Sequence, residues 1–182
     1  MDKVLHSSNY ENWGTPTKLY NVLDSLFHID CDIAAEEVNK KCATYISLEQ
    51  DALSADSDNL WKDMNFCNPP YNKKGTQWQF VKKALEQYEQ HGKNTIFLLP
   101  SRTDTAGFHD HIYPFASFLF FFRGRLKFEL SDGPSQNAAP FPSCLVGIGD
   151  HFAFKKVRKE LVATLAKAGY KGNVVVTSFL DK

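Results

Sequence analysis

Four consecutive residues, Asn68-Pro69-Pro70-Tyr71, combine chemical groups that seldom stand together, and they follow the short apolar run Asn65–Cys67. An exocyclic amine on a nucleobase is a poor nucleophile, because its lone pair is delocalised into the ring. The Asn68 carboxamide oxygen and the main-chain carbonyl of Pro69 can each accept one N–H from such an amine, favouring a pyramidal, more nucleophilic nitrogen. Proline has no N–H and a fixed φ, so the turn presents carbonyls in a preset geometry. Tyr71 offers a π-face on which an extruded base can stack. Asn-Pro is also a common turn initiator. A stiffened turn alone, however, does not account for the aromatic, or for the position of the whole unit at a strand's carboxyl end.

The rest of the sequence must supply a scaffold for that turn. The chain has 182 residues, 43% of them apolar and 14% aromatic, which suits one domain with a well-buried core. We read residues 1–182 as a single domain, with residues 1–14 as an N-terminal arm and the stretch 131–142 as an irregular loop that could touch a partner. Thr15 reads as an N-cap, with Pro16 opening a helix through Phe27. A short helix and a strand near Thr44–Leu48 follow the apolar segment His28–Ile33. Gln77 to His91 is amphipathic and ends at Gly92. Asn94–Leu99, Ser117–Phe122 and Ser143–Ile148 are continuous apolar runs, the pattern of strands covered on both faces. Arg125–Leu130 alternates apolar and charged residues after Gly124. Phe154–Ala168 reads as a helix and Asn173–Leu180 as a last strand. Strands alternating with helices predict an α/β fold with a mainly parallel sheet, whose ligands sit beyond the carboxyl ends of its strands.

The Asn-Pro-Pro-Tyr unit is the motif of amino-methyltransferases that act on adenine N6, cytosine N4 or protein glutamine. Around it, Trp13-x-Thr15-Pro16, Asp30-x-Asp32-x-Ala34-Ala35, Lys41-Cys42, Asp51-Ala52-Leu53, Trp61, Leu98-Leu99-Pro100, Thr103-Asp104-Thr105, Phe108-His109, Gly124-Arg125-Leu126 and Pro142-Ser143 occur in order. Together they resemble the short phage-type DNA N6-adenine methyltransferases, the phage Dam family, over roughly residues 12–148. The resemblance implies a Rossmann-like class I methyltransferase fold, S-adenosylmethionine (SAM) as cofactor and double-stranded DNA as partner. It implies Asn68, Pro69, Pro70 and Tyr71 as the catalytic set, with Asn68 also bordering the cofactor.

No G-x-G loop follows the first strand. In the resembling family a segment with aspartates replaces it, here His28 to Ala35. A carboxylate at a strand end can pair with the cofactor's α-ammonium, and Ala34 lets backbone approach closely. Of the two aspartates, Asp30 is favoured for that contact over Asp32, although both also read as capping residues of a loop. Asp51 resembles the element that meets the cofactor's adenine amine; the alternative is Glu49, just past the second strand, taking the ribose hydroxyls. Trp13, Thr15 and Pro16 resemble the segment that folds over the methionine end. One alternative is a permuted arrangement in which Gly147-Ile148-Gly149 forms the cofactor loop, but a lone G-x-G is a weak signal.

Equal numbers of basic and acidic residues, 21 each, leave no bulk pull toward nucleic acid. DNA contact must therefore come from patches. Lys73 and Lys74 flank the proposed base pocket, Arg102 follows a strand, and Arg123 and Arg125 lie in the Gly-Arg-Leu turn with Lys127 just beyond it; the Lys155–Lys159 cluster is a weaker candidate. His109 and His111 lack a third ligand, and methyl transfer from a sulfonium needs no metal, so no metal is expected. No apolar run approaches the ~20 residues of a membrane span, and four irregularly spaced cysteines suit a reducing compartment. The expected location is the cytoplasm of a bacterial or phage-infected cell. Two rivals stay open: methylation of cytosine N4, and a non-catalytic nucleic-acid binder on the same scaffold.

Overall fold

Apolar strands with alternating side chains need helices on both faces, and the chain provides them. The computed structural model describes residues 13–71, 75–130, 133–134, 137–153 and 155–175. Lys73, Lys74, most of the N-terminal arm, parts of the 131–142 loop and the last strand beyond residue 175 lie outside the described residues. The helices are α1 (Thr17–Phe27), α2 (Thr76–His91), α3 (Ala106–His111) and α4 (Lys155–Lys167). The strands are β1 (Cys31–Asp32), β2 (Met64–Cys67), β3 (Asn94–Pro100), β4 (Phe118–Phe122), β5 (Glu129–Leu130), β6 (Gly133–Pro134), β7 (Ser143–Ile148) and β8 (Gly172–Val175).

Six strands form one sheet in the order β1-β2-β3-β7-β4-β8, and β5 pairs with β6 in a separate ribbon. The fold is α/β as expected. Its parallel character belongs to one half: β1, β2 and β3 run parallel, whereas β7 is antiparallel to both β3 and β4, and β8 is antiparallel to β4. Strands β1 to β4 therefore point the same way and share a carboxyl rim, which also holds the amino ends of β7 and β8.

Period-2 alternation sorts the core onto the two faces. Ile96 and Leu98 of β3 and Phe118 and Phe120 of β4 pack with Leu19, Leu23, Leu161 and Leu165 from α1 and α4. Phe97, Leu99 and Leu119 turn the other way, onto Phe80, Val81, Ala84 and Phe108 from α2 and α3. Each of these residues is under a tenth exposed, and most have no exposed surface at all. Cys31, Cys67 and Cys144 are buried free thiols within that second layer.

Several local expectations change. Helix α1 begins at Thr17 with Pro16 as its N-cap, and no side chain caps it. In place of a short helix after Ile33 there is a turn in which Lys40 N–H donates to Glu36 O at 2.9 Å. The strand near Thr44–Leu48 is reduced to a parallel bridge between Tyr45 and Asp32, flanked by bonds from Asp32 N–H to Thr44 O and from Ile46 N–H to Asp32 O. That bridge has a consequence for the site. The chain leaves β1 to pair on one side of it and returns as β2 on the other, so strand order reverses between β1 and β2.

Candidate active site

At that reversal the carboxyl ends of β1 and β2 open into a cleft lined by Trp13, Gly14, Thr15, Asp32, Ala34, Asn39, Asn68, Pro69 and Pro70. A second cavity, of about 280 Å³, shares Ala34, Asn39 and Pro70 with it and adds Ile33, Ile46, Leu48, Asp51, Leu53 and Phe80. The turn Asn68–Pro70 thus forms a wall common to a polar chamber and a more apolar one.

Asn68 ends the run out of β2, and its carboxamide is held from both sides. Its Nδ2 donates to the main-chain oxygen of Trp13 at 2.6 Å and to Thr15 Oγ1 at 3.0 Å. The Tyr71 hydroxyl meets Asn68 Oδ1 and also lies 2.7 Å from the Leu98 carbonyl. One lone-pair direction on Oδ1 is left for an incoming N–H. Among the described residues nothing donates to the Pro69 carbonyl. Thr15, only 4% exposed, spends its hydroxyl on Asn68 rather than on capping α1. The exposed Thr17 N–H is taken by Glu129 Oε1 at 2.6 Å instead.

Tyr71 is not on the cleft wall. Its ring stands edge-on to Phe128 and Phe141, with centroids 6.4 and 5.7 Å away, and burial drives its hydroxyl pKa well above the ordinary value. Trp13 shares that aromatic group, 5.6 Å from Phe128 and 5.3 Å from Phe141, and lines the cleft as well.

The two aspartates part company. Asp32 ends β1 at the carboxyl rim, is 4% exposed and lines the cleft. Burial raises its pKa to about 6, opposed by the Lys41 and Ala34 N–H groups, which reach its two oxygens at 3.2 and 3.5 Å, and by the Lys41 charge. Asp30 precedes β1 and sits at the opposite rim, where Met64 N–H donates to its carboxylate at 3.1 Å beside Lys62 and Asp63. Of the two, Asp32 alone lines the cleft. Two residues along a strand span ~7 Å, which carries the pair to opposite ends of this two-residue strand.

Asp51 lines the apolar cavity, with its backbone in the left-handed region at φ 48° and its carboxylate accepting from Leu53 N–H at 3.1 Å. Glu49 does not line either chamber. The Gly147-Ile148-Gly149 segment ends β7, which runs against β3, so it lies on the rim away from the cleft. Its glycines serve packing: a Cβ on Gly147 would come within 2.3 Å of the Phe118 ring. The permuted arrangement falls with that placement. Arg102 is exposed just beyond β3, on the cleft's rim. His109 and His111 sit in α3 with their rings against Tyr113 and Trp78.

A clasp that no motif announced closes the arm. Gly14 and Glu129 exchange two main-chain bonds of 2.8 Å, and the Glu129 carboxylate takes the Lys41 ammonium and the Thr17 amide. Lys41 also donates to Thr17 Oγ1 at 2.9 Å. Burial pushes the Glu129 carboxyl up, but Lys41 and Thr17 together outweigh it and hold the pKa below its ordinary value. Alternation along Arg125–Leu130 marks Glu129 as just another charged strand position. Only the long-range pairing to Gly14 reveals its role.

Comparison with known proteins places the chain among phage relatives. A relative from Escherichia phage T1, named DNA N-6-adenine-methyltransferase, is 36% identical over 100 residues, which are 53% of this chain and 38% of that protein. A namesake from Haemophilus phage HP1 (strain HP1c1) is 29% identical over 140 residues, 73% of this chain and 76% of its own. The chain thus spans well under two thirds of the T1 protein's length and about three quarters of the HP1 protein's. A model of the DNA N-6-adenine-methyltransferase (Dam) family matches residues 3–162, a stretch that holds the clasped Gly14, Asp32 and the Asn68 turn, and the chain belongs to that family.

Proposed function

We propose that this chain is a SAM-dependent DNA methyltransferase that places a methyl group on N6 of an adenine flipped out of duplex DNA, on a Rossmann-like class I scaffold. The two named relatives support the choice of adenine. The strand-order reversal between β1 and β2, with the cleft at their carboxyl ends, supports the scaffold. The observation that carries the reading is the Asn68 carboxamide, fixed by three partners at the mouth of the cleft that Asp32 also lines.

The residues present fit the cofactor. Among the described residues, the buried Asp32 carboxylate accepts from two main-chain N–H groups, so an ammonium would complete its partners. Ile33, Ile46, Leu53 and Phe80 offer an adenine ring apolar walls, and Asp51 offers its amine an acceptor. SAM supplies an electrophilic methyl on a sulfonium, so no metal or strongly perturbed general base is needed. The chain's own share is positioning. Asn68 Oδ1 and the Pro69 carbonyl accept the two amine hydrogens, withdrawing nitrogen lone-pair density from the ring toward the methyl, and the turn pays no reorganisation cost at that moment. Tyr71 keeps the Asn68 oxygen aimed. Trp13, the aromatic that lines the cleft, takes over the expected role of facing the base. Arg102, Arg123 and Arg125 are assigned to phosphates.

The test is incubation with SAM and unmethylated DNA, followed by nucleoside mass spectrometry. N6-methyladenine is expected. N4-methylcytosine would move the assignment to the other amine, and an unmodified substrate with no SAM binding by calorimetry would leave only a nucleic-acid binder.

A further inference from the structure

Beyond the cleft, one surface is sharply out of balance with a chain of zero formal charge. A groove of about 430 Å³ is lined by Lys18, Arg123, Arg125, Lys127 and Lys171, together with Pro16, Tyr170 and apolar or small residues of the two turns. No carboxylate lines it. All five cations are exposed, and none of the five forms an ion pair among the described residues. They come from three separate segments, the start of α1, the turn after β4 and the entry to β8, so no charge run in the sequence foretells the groove. Main-chain pairing fixes it instead, since Arg123 N–H donates to Lys171 O at 2.7 Å and Phe122 pairs with Gly172.

The groove's position matters as much as its charge. Strand β4 points the same way as β2, so Arg123 leaves the sheet at the rim from which Asn68 leaves it. Three strand spacings separate them, about 14 Å. The two openings also share the arm: Thr15 lines the cleft and Pro16 lines the groove.

We propose that this groove is the seat for the DNA sugar–phosphate backbone to one side of the flipped base, about four base steps from it at 3.4 Å each. The inference rests on the DNA-modifying reading above and adds Lys18 and Lys171 to Arg123, Arg125 and Lys127. Unpaired exposed cations hold phosphates by releasing counterions, so the groove supplies affinity and register without choosing sequence.

Binding of a labelled short DNA duplex to the full chain, measured by anisotropy across a salt series, tests this. Arg123→Ala with Lys171→Ala is compared with Lys62→Ala with Lys82→Ala, which removes equal charge from other exposed positions. The groove double should lower duplex affinity at least about tenfold and flatten the slope of log affinity against log salt by about 2, with SAM affinity unchanged by calorimetry. The control double should keep nearly the full slope. Equal behaviour of the two doubles, or a loss confined to single-stranded RNA, overturns the proposal. Because no turnover is read, a failure here is separate from the absence of methylated product in the wild-type chain, which would strike the enzymatic reading instead.

Discussion

The Asn68 cleft and the Lys18–Lys171 groove share a rim and an arm, yet they are built on opposite principles. In the cleft, polar groups are bonded to one another: Asn68 to Trp13, Thr15 and Tyr71, and Asp32 to Lys41 and Ala34. In the groove, five cations stand exposed without a carboxylate partner among the described residues. The first arrangement fixes geometry to fractions of an ångström and acts only at contact. The second fixes little and acts over a Debye length, ~10 Å at ordinary salt. Rate and affinity for DNA should therefore separate by mutation. Cleft variants should slow turnover and leave the salt slope alone, and groove variants should do the reverse.

The largest effect is expected from Asn68→Ala. Losing the amine acceptor should cost about 10³-fold in kcat, the scale of a transition-state hydrogen bond removed from a preset site. The salt slope and SAM affinity should stay near wild type, by anisotropy and calorimetry. A flattened slope would show that the cleft and the groove are not separable.

Asp32 gives the next effect, with a pH signature. Asp32→Asn should weaken SAM binding about tenfold to a hundredfold, the value of a hydrogen bond to a charged group. Its folded-state pKa is raised from 3.8 to about 6. A raised pKa means the folded chain favours the protonated form. Its contribution to stability is full below pH ~4 and is lost as pH rises through about 6, roughly 3 kcal/mol for a shift of about two units. SAM affinity should run the other way, increasing over the same window as the carboxylate ionises. Melting curves from pH 4 to 7 should show that loss in the wild type and its absence in Asp32→Asn; a matching slope in both would assign the loss to other groups.

Which parts of this were legible beforehand follows from how far each interaction reaches along the chain. The apolar runs of β3, β4 and β7, and α2 ending at Gly92, were readable because their signals are local periodicity and a left-handed glycine cap. The Asn68 turn was readable because its chemistry lies in four neighbours. Antiparallel insertion of β7 between β3 and β4 was not, since a buried strand looks the same in either direction. The sequence could not tell which of the two aspartates reaches the cleft, because it does not say where a two-residue strand begins. Thr15 passed for a helix cap because a Thr-Pro pair ahead of a helix commonly is one, and only its bond to a residue 53 positions away shows otherwise.

Thr15 therefore makes a finer test of the cleft. Thr15→Val keeps the shape and removes one acceptor from Asn68 Nδ2, so kcat should fall about tenfold, near 1.4 kcal/mol, with Thr15→Ser largely restoring it. If Thr15 were merely a cap, Val would lower the melting temperature and leave kcat alone.

The smallest effect is expected at the clasp, and it decides whether the arm belongs to the cleft or to the groove. Glu129 ties Lys41 and Thr17 together, but its side chain is 29% exposed, so solvent screens the pair and its worth stays within ~1 kcal/mol. Glu129→Gln keeps the main-chain exchange with Gly14, which involves no side-chain atom, and the amide oxygen can still accept from Thr17. What is lost is the charge that draws Lys41 in. Hydrogen exchange at the Thr17 amide should quicken, and kcat should drop about two- to fivefold through slack in Trp13 and Thr15 around Asn68. Thr17 stands between Thr15 of the cleft and Lys18 of the groove, so the same variant reports on both. A lower kcat with an unchanged salt slope places the arm with the cleft; a flattened slope at constant kcat makes it a wall of the groove.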